Sequence, residues 1–212
     1  PPPVCTSTQG RERSAEFCRE MQQRRSLRQF SSTSLEREIV ENCLQAAVSA
    51  PSGANKQPWT FCLIENSAVK QAIRLAAEKE EYENYSHRMS EEWLRDLEAF
   101  GTDHHKPFLE SAPYLIAVFK HIYDIKNGEK HNNYYVSESV GMAVGILIAA
   151  LHHAGVSCLT HTPSPMNFLA SILHRPHNER AYLLMPVGFP APGATVPDIH
   201  RKPISETIVH YA

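Results

Sequence analysis

Arg24-Arg25-Ser26-Leu27-Arg28, followed one helix later by Ala50-Pro51-Ser52-Gly53-Ala54, is the pairing on which the reading of this chain turns. Three guanidiniums within five residues repel one another unless an anion lies among them, and the planar fork of arginine matches a phosphate group. Taken alone, the run also fits a solvated basic turn. Gly53 shifts the balance, because it permits close backbone approach and leaves N–H groups free to meet a flat polar ring. A second small basic cluster, Arg201-Lys202-Pro203, follows a strand near the C-terminus and can converge with the first on one phosphate.

Outward from these two stretches the chain alternates helix and strand. Pro1 to about Gly10 is rich in Pro, Ser and Thr, and residues 1–13 are expected to form a flexible arm. Residues 14–212 read as one domain. A helix covers Ala15 to Gln23. A second starts at a Thr33/Glu36 capping box and carries Ile39, Val40, Cys43, Leu44 and Ala47 on one face. Pro51 and Gly53 end it, so Ser49 to Pro58 is a loop. Trp59 to Ile64 reads as a strand. Ser67 then caps a charged helical region from Ala68 to about Phe100 with a break near Ser86. Strands follow at Tyr114–Phe119, Val156–Thr160 and Leu183–Gly188, with helices at Tyr135–Ala154 and Phe168–His174. The pattern predicts an α+β or α/β domain with a mixed central sheet covered by helices.

Bulk properties exclude several classes. A length of 212 residues suits one sizeable core, and 42% hydrophobic with 21% charged residues is ordinary for a globular protein. A formal charge of -2 and the lack of a polybasic tract give no footprint for nucleic acid or a membrane surface. The five cysteines, Cys5, Cys18, Cys43, Cys62 and Cys158, show no ligand spacing and read as free thiols rather than a disulfide framework. The longest apolar run, Val140–Leu151, is too short for a bilayer and reads as a buried helix. The sequence opens on Pro1-Pro2-Pro3, so any anchor or targeting segment upstream lies outside it. The region given is expected to be soluble, and the full-length protein either cytoplasmic or membrane-anchored.

Arg24-Arg25-Ser26-Leu27-Arg28, Ala50-Pro51-Ser52-Gly53 with Gln57-Pro58-Trp59, Pro186-Val187-Gly188-Phe189-Pro190 and Arg201-Lys202-Pro203 occur in the order found in nitroreductase-fold flavoproteins, which the chain resembles from Arg24 to its end. The resemblance implies an intertwined homodimer with FMN held non-covalently at its interface. It assigns Arg24, Arg25, Ser26, Leu27, Arg28, Ser52 and Arg201 to the cofactor. The small-residue face of the Tyr135–Ala154 helix (Gly141, Ala143, Gly145, Ala149, Ala150) then suits a dimer seam, or equally a monomeric core.

Glu81 and Tyr85 stand four apart on a helix and so share a face, with Lys106 in the next polar segment. Within Glu78-Lys79-Glu80-Glu81-Tyr82-Glu83 a carboxylate is ordinarily a solvated charge. A carboxylate, a phenol and an ammonium brought together can nevertheless bind a zwitterion. Glu-x-x-x-Tyr with a downstream Lys, on a lid of about residues 78–108, resembles the branch of the superfamily that removes iodide from iodotyrosine. That resemblance places the substrate ammonium on Glu81, its carboxylate on Tyr85 and Lys106, and its phenolate on the backbone N–H of Ala54. It also sets Thr160, His161 and Thr162 against the flavin, with Thr162 at flavin N5 favouring one-electron chemistry. His161 stands where vertebrate members have threonine, and there its backbone can still serve the cofactor.

The activity implied is reductive deiodination of mono- and diiodotyrosine to tyrosine and iodide by reduced FMN. NADPH is the ultimate reductant, reached through a partner reductase, since nothing marks a nicotinamide site. The alternatives are a broad nitro- or quinone reductase on the same fold and a non-catalytic halotyrosine- or flavin-binding module. The twelve histidines fall into no recognised metal-ligand spacing, and no nucleophile elbow, phosphate loop or dinucleotide fingerprint occurs.

Overall fold

Tyr114-Leu-Ile-Ala-Val-Phe119 is apolar at every position, and a strand of that kind must be covered on both faces. In the computed structural model, which describes residues 4–211, it lies in one of the two inner strands of a four-stranded sheet. The strands are β1 (Trp59–Ile64), β2 (Tyr114–His121), β5 (Ser157–Cys158) and β6 (Glu179–Gly188), in the order β1-β2-β6-β5. Tyr114, Ile116 and Val118 face one layer. There Val40, Cys43 and Ala47 of α2 (Arg37–Ala47) meet Val140, Ala143, Val144, Leu147 and Leu151 of α6 (Val136–His153). Leu115, Ala117 and Phe119 face the other layer, formed by α3 (Ser67–Glu83), the single turn α5 (Phe108–Ser111) and α7 (Asn167–Ile172). The period of two along β2 thus builds two cores and a three-layer sandwich. Helix α6 is long and apolar enough by composition to cross a membrane, but its apolar stripe is spent on the first core.

Every pairing of these strands is antiparallel, so within the chain the sheet is antiparallel and not mixed. A continuous apolar run reads the same in either arrangement, and the strand directions follow from connections that periodicity does not reveal. A hairpin, β3 (Tyr123–Lys126) with β4 (Glu129–Asn132), was not expected. Its turn is Asn127-Gly128, both at positive φ, the residue pair such turns select.

Three boundaries move. Helix α1 runs Ser7–Gln23, opened by a reciprocal Thr6/Gln9 capping box, so most of the expected arm is helical; Pro1–Pro3 lie outside the described residues. The Thr33/Glu36 capping box does not form: the Thr33 hydroxyl pairs with Ser31 at 2.6 Å, and Glu36 caps α2 by backbone alone. Asn66, not Ser67, caps α3. The break near Ser86 is real, a π-helical turn at Asn84–Arg88, after which α4 covers Glu91–Glu98. All five cysteines are free.

Candidate active site

Helix α1 ends at Gln23, and the chain turns through Arg24–Arg28 across the end of β5 and β6. Leu27 anchors the turn: its side chain is buried and its N–H donates to Cys158 O at 3.2 Å. The C-terminal segment crosses over the same turn. Arg201 donates to Gln22 O (3.0 Å) and Arg24 O (2.7 Å), while Arg25 donates to Pro197 O. Arg28 lies 5.2 Å from the Phe100 ring centroid, and burial holds its guanidinium below the ordinary value. Arg24, Arg25, Ser26, Arg28 and Arg201 line one cavity of about 270 Å³ that contains no carboxylate. Among the described residues, none of these four arginines is ion-paired. Four guanidiniums around an acid-free hollow suit an anion.

A second cavity of about 530 Å³ continues from Ser26 and Arg28 beneath the segment Ala99–Phe108. That segment and the end of α3 are the stretch in which a lid is expected. They bring Glu81, Tyr85 and Lys106 together. Lys106 Nζ is 3.2 Å from Glu81 Oε2 and 5.4 Å from the Tyr85 ring, and it also donates to Thr102 Oγ1 at 3.1 Å and to Asp103 O. Tyr85 OH donates to Thr102 O at 3.1 Å. Glu81 and Lys106 are both buried, 6% and 3% exposed. Burial pushes the Glu81 carboxyl up further than Lys106 pulls it down, so it lies above its ordinary value. The lysine therefore compensates this carboxylate only in part, and a second cation would be welcome.

The Lys106 backbone is fixed as well: its N–H donates to Glu78 Oε1 at 2.6 Å, and Arg74 holds that carboxylate at 2.8 Å. Sequence reasoning passed over this pair, although Arg74 and Glu78 have the spacing of a helical ion pair.

Thr160, His161 and Thr162 follow β5. The two threonines are exposed, and Thr160 lines a small hollow with Arg24, Ser26 and Gly145. His161 points the opposite way. It is buried edge-on against Phe108 (centroids 5.5 Å apart), so its side chain does not belong with the flavin-facing set the resemblance gave it. Burial, helped by Lys106 and Arg28, lowers its pKa to about 3, and it stays neutral.

Ser52 and Ala54 stand elsewhere. Ala54 lies in the turn Gly53–Asn55, which Ser52 precedes, at the start of α6. There Gly53 N–H donates to Ser139 Oγ at 3.3 Å, and a Cβ on Gly53 would stand 2.8 Å from Tyr134 O. Ser52 Oγ accepts from Gln57 N–H at 2.9 Å. Ala54, Asn55 and Gln57 all hold positive φ, a conformation costing L-residues about 1–2 kcal/mol each and typical of functional loops. The arginine cavities adjoin Gly145, Ile148 and His152, six to thirteen residues further along α6, or about 9–20 Å at 1.5 Å per residue. One chain does not bring Ser52 and Ala54 to its own arginines.

A basic hollow at a sheet end, beside a buried polar cluster, suits an enzyme that holds an anionic cofactor. The family model described as the nitroreductase family matches residues 21–189, and the chain belongs to that family. Within it the chain is similar to iodotyrosine deiodinases of several organisms. The chain is 56% identical over 200 residues to the iodotyrosine deiodinase of Haliscomenobacter hydrossis, covering 94% of this chain and 90% of the relative. It is 46% identical to that of Daphnia pulex, covering 94% and 67%. A crystal structure of oxidized iodotyrosine deiodinase bound to FMN and 3-iodo-L-tyrosine superposes with a TM-score of 0.78 at 29% identity, covering 92% of this chain and 98% of that one.

Proposed function

We propose that the protein is an FMN-dependent deiodinase that converts mono- and diiodotyrosine to tyrosine and iodide. The observation that carries the reading is the buried Glu81–Lys106 pair with Tyr85, tied through Thr102 and Asp103 to the wall of a cavity that continues to four unpaired arginines. A broad nitro- or quinone reductase has no use for two buried opposite charges above its flavin.

The residues fit FMN. Arg24, Arg25, Arg28 and Arg201 would hold its phosphate and polar edge with Ser26 and the backbone of Leu27, and Thr160 and Thr162 would meet the ring. When bound, FMN supplies the two electrons that, with a proton, replace the C–I bond by C–H and release iodide. The protein's own share is positioning. Glu81 takes the substrate ammonium. Lys106 and Tyr85 take the carboxylate, and the lid excludes water. In this reading NADPH is the ultimate reductant, delivered by an external reductase.

A homodimer completes the site. Helix α1 buries no side chain, and Ile204, Ile208, Val209 and Tyr211 of the C-terminal segment are 60–91% exposed, surfaces that suit a second copy. That copy would supply Ser52 and the strained Ala54, whose N–H meets the substrate phenolate.

The test is anaerobic titration of dithionite-reduced, FMN-loaded protein with diiodotyrosine. Flavin reoxidation with about one iodide released per flavin supports the reading. Tight binding without iodide release would mean a binding module, and turnover of nitroaromatics in preference to diiodotyrosine would mean the broad reductase.

A further inference from the structure

The lid touches the Thr160–Met166 segment on both sides of Thr162. On one side is Asn84, the buried first residue of the π-helical turn, three residues after Glu81 and directly before Tyr85. Its Nδ2 donates to Ser164 O at 2.8 Å, the only hydrogen bond among the described residues between residues 78–108 and Thr160–Met166. Arg88 fixes the amide's orientation, donating to Asn84 Oδ1 (3.2 Å) and to Glu80 Oε2 (2.8 Å). On the other side is Phe108, two residues after Lys106, against which His161 stands edge-on at 5.5 Å.

The His161 backbone exchanges two 2.9 Å hydrogen bonds with Leu184, so the ring meets Phe108 from a fixed base. The ring meets Phe108 edge-to-face, a contact of shape that a Phe side chain would keep. Each clamp residue is therefore next to, or a few residues from, a contact that reaches a neighbour of Thr162. A π-turn places Asn84 there, and such turns recur at functional sites.

We propose that Asn84 and His161 are positioning residues that tie occupancy of the Glu81–Tyr85–Lys106 clamp to the setting of the Thr162 hydroxyl. The proposal rests on the deiodinase reading. Substrate that orders the lid also orders Thr162, so the reacting geometry is assembled only over a complete zwitterion.

The test is amide hydrogen exchange of the FMN-loaded protein with and without diiodotyrosine, for wild type, Asn84→Leu, His161→Ala and His161→Phe. In wild type, protection rises together in the lid and at the amides of Thr160–Met166. In Asn84→Leu and His161→Ala the lid stays protected and diiodotyrosine binds within about threefold of wild type. The gain at Thr160–Met166 falls by about fivefold or more, with kcat lowered about as much and KM held. His161→Phe, which keeps a ring on Phe108, behaves as wild type.

Wild-type protection at Thr160–Met166 in both disabling variants overturns the coupling. So does loss of lid protection together with binding, which would make these residues anchors of the lid alone. Should Asn84→Leu fail to fold, His161→Ala carries the test. If diiodotyrosine protects only the lid of the wild type, the coupling falls and the deiodinase reading stands. If it neither binds nor protects, the reading itself falls.

Discussion

Replacing Glu81 by Gln keeps the side chain's shape and removes its charge, and the structure sets how much that matters. Glu81 Oε2 and Lys106 Nζ are 3.2 Å apart in a buried setting. At an effective dielectric of about 20 a pair at that distance attracts by about 5 kcal/mol, much of it cancelled by desolvation. What remains to a substrate ammonium is a charge-assisted hydrogen bond worth about 1.5–3 kcal/mol, so Glu81→Gln is expected to weaken diiodotyrosine binding about tenfold to a hundredfold. Diiodophenol has no ammonium to lose and its affinity should change by less than about threefold. The ion pair adds a sharper demand. A ligand with one charge must part Glu81 from Lys106 and leave the other buried alone, whereas a neutral phenol can leave the pair intact. Iodinated tyramine and iodinated phenylpropionate should therefore bind wild type no better than the phenol. Flavin-fluorescence titrations with all four ligands measure this. Equal weakening of diiodotyrosine and diiodophenol, or a singly charged analogue that rivals diiodotyrosine, refutes the clamp.

The same carboxylate gives a pH signature. Burial raises the Glu81 pKa, so it ionises above the ordinary carboxylate range, and diiodotyrosine affinity should climb as pH rises through that value; Glu81→Gln should lack the climb. Loss of Arg201, which ties Gln22 O and Arg24 O as well as facing the cavity, should weaken FMN retention about tenfold, seen as a lower flavin-to-protein absorbance ratio in Arg201→Ala. Away from the site, Glu179 is 4% exposed and bidentate to Arg175 at 2.7 Å. Glu179→Gln should cost about 3 kcal/mol, the lower end for a buried pair because Arg175 is partly solvated, and lower Tm by roughly 6–12 °C by calorimetry. Burial alone would raise the Glu179 pKa, but Arg175 and Thr60 together bring it below the ordinary value. Its stabilisation is therefore complete above about pH 4.5 and lost as pH falls through the folded-state pKa.

The sequence disclosed the arginine turn because three adjacent like charges are a local anomaly, and locality survives folding. Glu81 and Tyr85 were legible for the same reason, since spacing on one helix fixes a shared face. Lys106 stood outside that logic. Its meeting with Glu81 depends on the π-turn and the Ala99–Pro107 segment folding back, and only the resemblance supplied it. His161 could have been read correctly: between two exposed threonines in extended chain it must face inward. Asn127-Gly128 was likewise a plain hairpin signal left unused. The Thr33/Glu36 motif misled because Ser31, two residues back, competes for the same hydroxyl. Antiparallel against mixed strand direction, and the placing of Ser52 at the far end of α6 from the arginines, are tertiary facts that no local pattern encodes.

That separation of Ser52 and Ala54 from the arginines makes the shared site open to a decisive experiment. In Gly53→Val a Cβ would press 2.8 Å from Tyr134 O, a backbone atom, so the strained turn must shift; Arg24→Ala with Arg201→Ala strips two guanidiniums from the basic hollow. Each altered subunit alone should be nearly inactive. If each site takes its arginines from one subunit and its Ser52–Ala54 turn from the other, a mixed dimer holds one site with both defects and one with neither. Random co-assembly makes half of the dimers mixed, and one site in two of those is intact, so about a quarter of wild-type iodide release should return. If each chain instead builds its site alone, every site carries a defect and nothing is recovered. Recovery near zero in a sample shown by mass spectrometry to contain mixed dimers would mean that each subunit joins its own Ser52–Ala54 turn to its own arginines, and would refute the shared site.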